Sequence, residues 1–166
     1  MTHTHPTSLE EQVRWLVDRA MINDLLVEHA RCLDTQDWAT LQSLFAEDGY
    51  LELPFDRVAA DQMAALSEAH LGGYRGGTLH MSANYAIAIN GDTATARSYF
   101  LAAHVNSTDF YDHGDVAGWY DSTFRRVGDA WKFVSIDETF RWKSGTGLPD
   151  EIYVPPTDRE PGGTLP

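Results

Sequence analysis

The segment Arg31-Cys32-Leu33-Asp34-Thr35-Gln36-Asp37-Trp38 lies where one helical pattern ends and a second begins. Before it, apolar side chains recur at steps of three and four residues from Val13 to Leu33, which is typical of a helix packed against a larger body. Ser8 followed by Glu11 has the form of a capping box and indicates where this helix begins. Asp34 is therefore predicted at the mouth of a helix rather than on its solvent-exposed face.

Two further helices and a short strand are predicted next. Asp37 is a candidate cap for a helix over 38–45, residues 50–53 alternate like a strand, and a third helix is predicted from Arg57 to Leu71. From Thr78 onward the apolar period changes from near four to two. Four long strands are predicted there as two hairpins, 78–90 with 93–107 and 116–127 with 130–142. This order predicts an α+β fold with a strongly curved antiparallel sheet.

Composition limits the classes of partner. The formal charge is -13, from 12 Lys and Arg against 25 Asp and Glu, so a nucleic acid would be repelled at long range. Cys32 is the single cysteine of the chain, which excludes an intramolecular disulfide and is compatible with a reducing compartment. The first residues do not resemble a signal peptide, and no apolar run approaches the roughly 20 residues that span a bilayer. We therefore expect a cytoplasmic protein that binds neither nucleic acid nor membrane.

The length of 166 residues fits one domain. We expect a flexible tail over 1–7, a single domain over 8–143 and an extended arm over 144–166, which is rich in proline and glycine. The arm is predicted to lie over the domain or over a neighbouring copy. The long strand 93–107 would leave sheet surface that a small domain cannot cover, so we also expect a homo-oligomer.

Two strand residues are candidates for a pocket. Ser98, Phe100, Ala102 and His104 share one face of their strand, so His104 is either a pocket histidine or a surface residue at the strand end. Arg126 shares a face with Tyr120 on a later strand. It would either polarise a substrate carbonyl from inside the pocket or form an ion pair with one of the many acids.

Candidate pocket walls are apolar and aromatic. A substrate bound by them would be bulky and largely apolar, although any hydrophobic core needs the same residue types. The candidates for substrate contact are Tyr50, Leu53, Phe55, Met63, Tyr74, His104 and Tyr120.

Several of these motifs together resemble a known family. They are the helix ending in Arg-Cys-Leu-Asp34, the strand beginning Leu-His80-Met, and the tract Gly118–Phe133, which ends in Trp-Lys-Phe. Over residues 8–143 the chain resembles the SnoaL-like branch of the nuclear transport factor 2-like superfamily. That branch includes scytalone dehydratase, bile-acid 7α-dehydratase and hexachlorocyclohexane dehydrochlorinase. The resemblance implies a cone-shaped sheet that, with the helices, encloses a pocket.

The resemblance also implies site residues. Asp34 and His80 fall on the aspartate–histidine dyad of the dehydratases, and Arg126 falls on an arginine that some of them place in the pocket. His29 departs from the pattern, because the bile-acid enzyme has a tyrosine there and the dehydrochlorinase a lysine. The group that protonates the leaving group is therefore left open, with His29 as a candidate. The resemblance favours a trimer, with a dimer as the alternative.

The dyad has a physical rationale of its own. A histidine that abstracts a proton must be neutral when substrate binds, and a carboxylate on its other nitrogen sets the tautomer and favours the charged form that follows. His80 would be the base and Asp34 the orienting group. In the alternative in which both residues are purely structural, Asp34 only caps the following helix and His80 is an ordinary strand residue.

Three functions remain open at this stage. The first is a dehydratase-type lyase acting on a hydroxylated cyclic or polyketide-like molecule; the second is an isomerase or polyketide cyclase in the same pocket. The third is a binding module or a subunit like the β subunit of an oxygenase, which needs no organised base. The phosphate-binding, zinc-helix and nucleophile-elbow motifs are absent from the sequence, and we predict no cofactor and no metal. Asp109, Asp112, His113 and Asp115 are interpreted as a solvated turn.

Overall fold

The computed structural model describes residues 7–53, 56–107 and 111–148. Helix α1 spans Leu9–Thr35 and begins with the predicted capping box, in which Ser8 accepts from the Glu11 amide and the Glu11 carboxylate accepts from the Ser8 amide. The helix ends where Gln36 adopts a left-handed backbone conformation with φ 56°. This sharp end turns the chain back and places Asp34, in the last turn, beside the sheet.

The buried stripe of α1 is shorter than the sequence pattern predicts. Ile22, Leu26 and Cys32 are buried, but Val13, Leu16 and Val17 are more than half exposed. Arg14 lies beside Asp92 in the turn of the first hairpin. The first turns of the helix thus extend past the ends of the strands, where no sheet surface is left to cover them.

Helix α2, Trp38–Ser43, is capped by the Asp37 side chain, which accepts from the Thr40 amide. Strand β1 then spans Phe45–Leu53, so the second helix is shorter and the first strand longer than predicted. The predicted start of the third helix at Arg57 is too early. Residues Asp56–Ala59 instead form strand β2, which pairs with β1. A 3-10 turn at Ala60–Gln62 follows, and helix α3 spans Met63–Leu71.

The long strands are β3 Gly77–Asn90, β4 Thr93–Val105, β5 His113–Val127 and β6 Ala130–Gly145. They form one six-stranded sheet in the order β2-β1-β6-β5-β4-β3. Both predicted hairpins are confirmed, with Gly91 and Gly128 at positive φ in their turns. One pairing differs from the predicted antiparallel sheet: β1 runs parallel to β6, so the sheet is mixed.

The predicted α+β fold is confirmed. The hydrophobic core lies between one face of the sheet and the helices, with Ile22, Leu41, Phe124, Phe133 and Ile136 almost completely buried. Burial alternates strictly along β4, and along β5 as far as Phe124, as the period of two predicts.

Within the described parts of the chain, no helix is both long and apolar enough to cross a membrane. The predicted tail lies almost wholly outside the described residues, as does most of the predicted arm, since residues 1–6 and 149–166 are not described. The division into tail, domain and arm stays a prediction.

Candidate active site

A cavity of about 450 Å3 lies between the C-terminal half of α1, helix α3 and the inner face of the sheet. Most of its wall is apolar. The apolar and aromatic lining residues are Leu33, Leu41, Leu51, Leu53, Met63, Leu66, Ala69, Leu71, Phe100, Ala102, Val116 and Phe140. Polar groups enter it at His29, Ser67, His70, Tyr74, His80, His104, Tyr120 and Glu138. A molecule bound here would meet a mostly apolar surface with polar groups at a few fixed points.

Asp34 and His80 meet at the edge of this cavity. The Asp34 Oδ1 atom lies 2.7 Å from the His80 Nδ1 atom, and the His80 backbone amide donates to both carboxylate oxygens at 2.9 and 3.0 Å. The Thr78 hydroxyl donates to the same Oδ1 at 3.1 Å. The His80 side chain is 9% exposed and the Asp34 side chain 23%. These contacts hold the carboxylate in one orientation and anchor it to strand β3.

The hydrogen bonds determine the histidine tautomer. Burial alone would raise the pKa of Asp34, but the hydrogen bonds from His80 and Thr78 outweigh burial and leave that pKa below its ordinary value. The carboxylate is therefore ionised at neutral pH and acts only as an acceptor, so Nδ1 of His80 carries the hydrogen. In the neutral ring, Nε2 is then left with its lone pair, as a base requires.

His104 is a second cavity histidine. It is 5% exposed, and its ring lies at 90° to that of His80 with the centroids 5.5 Å apart. The Gly114 carbonyl accepts from its Nδ1 at 3.2 Å, and burial lowers its pKa to about 4. His104 is therefore neutral at physiological pH and does not compete electrostatically with a positive charge forming on His80. Tyr74 packs beside it with the ring centroids 4.9 Å apart.

His29, the candidate leaving-group donor, also lines the cavity. Its ring packs edge-on against Tyr120 and Phe133, with centroid separations of 5.9 and 5.6 Å. Burial, and then the proximity of His80, lowers its pKa to about 3. A neutral imidazole is a very weak acid, so His29 at neutral pH fits a packing or hydrogen-bonding role better than proton donation.

Glu138 is a cavity residue that the sequence interpretation missed. It lies directly across from Tyr120 on the neighbouring strand. Burial raises the pKa of Glu138 to about 7, against the lowering effect of the Tyr120 hydrogen bond. Burial also raises the pKa of Tyr120 well above its ordinary value, so the phenol keeps its proton at neutral pH.

A β-bulge explains why Glu138 faces inward. Strict alternation from Trp131 and Phe133 would place Glu138 on the outer face. However, Phe133 pairs with Phe124 and Ser135 pairs with Thr123, so one residue of β6 is unpaired and the faces are exchanged beyond it. The sequence does give one indication that Glu138 faces inward. The apolar residues Ile136 and Phe140 lie two positions before and after it and therefore share its face of the strand.

Arg126 does not line the cavity, which corrects its assignment to the pocket. Its guanidinium donates to Asp18 at 2.7 Å and to Asp92 at 2.9 Å, and it lies over the Trp131 ring. The predicted face is right, but six positions along a strand separate it from Tyr120, which is roughly 20 Å. These contacts agree with the alternative interpretation, in which Arg126 forms an ion pair with an acid.

The candidate substrate contacts divide into three groups. Leu53, Met63, Tyr74, His104 and Tyr120 line the cavity. Tyr50 does not, because Leu51 and Leu53 occupy the inner face of β1; it lies instead on the outer face, where Arg57 packs over its ring. Phe55 lies outside the described residues.

Among the described residues that line the cavity there is no lysine or arginine to balance a substrate anion. In the described chain no three His, Cys, Asp or Glu side chains are arranged to hold a metal ion. In the turn interpreted as solvated, His113 pairs with Asp115, and Asp112 accepts from Asn106 and Thr146. Asp109 lies outside the described residues.

The SnoaL-like domain family matches residues 14–137 of the chain. An uncharacterized protein of Mycobacterium tuberculosis is 28% identical over 126 residues, which are 74% of this chain and 84% of that protein. The family match begins within α1 and ends within β6.

Two solved structures show the same fold. A scytalone dehydratase-like protein of Novosphingobium aromaticivorans superimposes with a TM-score of 0.75 at 24% identity, covering 87% of this chain and 96% of that one. A hexachlorocyclohexane dehydrochlorinase, LinA type 2, gives a TM-score of 0.71 at 19% identity, covering 87% of this chain and 98% of that one. At these identities the likeness establishes a common architecture.

Proposed function

We propose that this chain, which belongs to the SnoaL-like domain family, is a cofactor-independent lyase of the dehydratase type. The observation that carries the proposal is the 2.7 Å contact between Asp34 Oδ1 and His80 Nδ1 at the edge of a mostly apolar cavity. A binding module or structural subunit has no need of a histidine held in one tautomer by a carboxylate. The names of the two similar structures, a dehydratase and a dehydrochlorinase, agree with an elimination.

In the proposed reaction, Nε2 of His80 removes a proton from a carbon next to a carbonyl. The ionised Asp34 stabilises the imidazolium that forms and keeps the ring in place. A hydroxyl on the neighbouring carbon then leaves as the double bond forms. Positioned acid–base catalysis of this kind contributes about 10²- to 10⁴-fold in rate.

The size and polarity of the cavity indicate the class of substrate. A cavity of about 450 Å3 holds a small polycyclic or polyketide-like molecule, and its apolar wall favours a compound with few polar groups. Tyr74, whose pKa is raised by burial, keeps its hydroxyl proton and is available to donate to a substrate oxygen. Because the described lining lacks lysine and arginine, an uncharged substrate fits better than a carboxylate or phosphate.

The test is a panel of alicyclic and polyketide-like β-hydroxy ketones incubated with the purified protein and analysed by mass spectrometry. Loss of 18 Da, abolished in a folded His80→Ala variant, is the expected result. Products of unchanged mass that still depend on His80 would instead establish an isomerase or cyclase, which uses the same base. Equal turnover by the wild type and His80→Ala would contradict acid–base catalysis by the dyad.

A further inference from the structure

Glu138 is placed to act on a molecule in the cavity. Among the described residues that line the cavity, it carries the only carboxyl group. It lies on β6, whereas His80 lies on β3, and strands β5 and β4 separate these two in the sheet. A substrate that contacts His80 on one side therefore has Glu138 on a different wall of the same cavity.

Tyr120 is the cross-strand neighbour of Glu138. Its ring stacks on Phe100 with centroids 4.4 Å apart and an interplanar angle of 18°, and His29 packs against it edge-on. The ring is therefore fixed on two sides, opposite Glu138 on the next strand. A protonated carboxylic acid there has one hydrogen to donate to a molecule in the cavity.

Two of the cavity histidines, His29 and His104, are poor proton donors. His29 and His104 are neutral, with pKa values lowered by burial to about 3 and about 4. His104 already donates its Nδ1 hydrogen to the Gly114 carbonyl. Glu138 is different, because burial raises its pKa to about 7 and a substantial fraction carries a proton at neutral pH.

We propose that Glu138 is the catalytic residue that protonates the leaving hydroxyl, and that Tyr120 is its positioning residue. This inference rests on the proposed dehydratase function. It assigns the proton donor that elimination requires, and it gives His29 a role in holding Tyr120 rather than in proton transfer.

The proton balance closes without a further reactant. His80 Nε2 takes a proton from carbon, and the electrons of that C–H bond form the new double bond. The bond from the neighbouring carbon to oxygen breaks, and that oxygen takes the Glu138 proton and leaves as water. The enzyme is left with a protonated His80 and an ionised Glu138, and transfer of one proton between them through solvent restores the starting state.

The decisive experiment compares leaving groups in a Glu138→Gln variant, which retains an acceptor for the Tyr120 hydroxyl. The probes are a cyclic β-hydroxy ketone that the wild type dehydrates and its β-acetoxy counterpart, whose acetate leaves without a proton. We expect kcat on the hydroxy ketone to fall about 100-fold, with KM little changed and the acetoxy ketone affected far less. Asp137→Asn, one position away and on the outer face, is the matched control and should change neither rate.

The outcomes separate the two proposals. A wild type that dehydrates no β-hydroxy ketone of the panel contradicts the dehydratase function itself. A wild type that eliminates from both, with Glu138→Gln equally active on the hydroxy ketone, overturns only the role of Glu138. An equal loss on both probes also overturns it, because Glu138 would then act on the carbonyl rather than on the leaving group.

A pH profile adds a readout that a structural role would not give. For the hydroxy ketone, kcat of the wild type should fall on the alkaline side as Glu138 loses its proton, and Glu138→Gln should lack this limb. Tyr120→Phe removes a bond that lowers the Glu138 pKa, so the limb should move to higher pH. A limb unchanged in both variants would overturn the assignment.

Discussion

Asp34 Oδ1 lies 2.7 Å from Nδ1 of His80, although 46 positions of sequence separate the two residues. The same carboxylate accepts from the His80 backbone amide, so it is bound to both the main chain and the side chain of one residue. The position of the carboxylate and the orientation of the imidazole are therefore coupled. Three residues at the join of helix and strand, Asp34, Thr78 and His80, make all of these contacts.

Asp34→Asn should lower kcat by about 10²- to 10⁴-fold while leaving the protein folded. The amide retains the size of the carboxylate but carries no charge to stabilise the imidazolium, and its NH2 group can stabilise the wrong tautomer of His80. The measurement is kcat on any compound that the wild type dehydrates, with folding checked by circular dichroism.

Asp37→Asn is the matched control for this variant. Asp37 is in the same segment, but it caps α2 and pairs with Arg31 at the surface. It should leave kcat unchanged and lower only stability. If Asp34→Asn had the same kcat as Asp37→Asn, the dyad would have no role in catalysis.

The pKa of Glu138 predicts a pH dependence of stability. Its folded pKa of about 7 lies above the ordinary value of 4.5, so the folded state binds more protons than the unfolded state between these pH values. The contribution of Glu138 to the free energy of unfolding should therefore be largest below about pH 4.5. It should fall by about 3 kcal/mol as the pH rises to 7 and above.

Denaturant unfolding of the wild type and Glu138→Gln at pH 5 and pH 8 measures this effect. The glutamine cannot ionise, so Glu138→Gln should gain stability relative to the wild type between pH 5 and pH 8. A difference in unfolding free energy that does not change with pH would show that Glu138 titrates normally.

Arg126→Met should destabilise the fold and spare catalysis. Asp18 is 5% exposed, and losing its guanidinium partner would leave a buried carboxylate without its charge partner. We expect a loss of about 3 kcal/mol in the free energy of unfolding, with kcat/KM unchanged at temperatures where the variant is folded.

Arg125→Met provides the comparison for this prediction. Its partner Asp48 and Arg125 itself are largely exposed, with side-chain exposures of 66% and 43%. An exposed pair of this kind contributes less than about 1 kcal/mol. If Arg126→Met instead lowered kcat/KM without lowering stability, the arginine would act on substrate after all.

We propose that the outer face of the sheet joins copies of this chain into a trimer. Met81 pairs with Leu101, Leu101 with Ala117, and Ala117 with Trp142, so one row of apolar side chains crosses four strands. Its three large members are exposed by 55%, 42% and 45% in the single chain. A continuous apolar row of this kind is typical of an interaction surface.

Light scattering should give about three times the monomer mass of 18.6 kDa. Leu101→Glu should reduce this toward the monomer, because a charge would be buried in the contact. Val127→Glu changes an equally exposed residue at a hairpin end and should leave the mass unchanged. A wild-type mass of 18.6 kDa would contradict the proposal.

The sequence by itself determined the local structure. The capping box at Ser8, the end of α1, the two hairpin turns and the alternation along β4 and β5 depend on residues close in sequence, whose backbone preferences and burial periods act locally. The resemblance at Asp34 and His80 predicts a dyad, and the two side chains are in contact. Along uninterrupted strands, the inner faces were therefore predictable, including that of His104.

Tertiary structure alone decided the features that depend on register and distance. The bulge between Phe133 and Ser135 exchanges the two faces of β6 and turns Glu138 into the cavity, which strict alternation does not predict. Arg126 occupies the predicted face, but its distance along β5 places it beside Asp18 instead of the substrate. Both outcomes depend on how strands pair with partners far away in sequence, and a side-chain pattern read along one strand contains no information about that pairing.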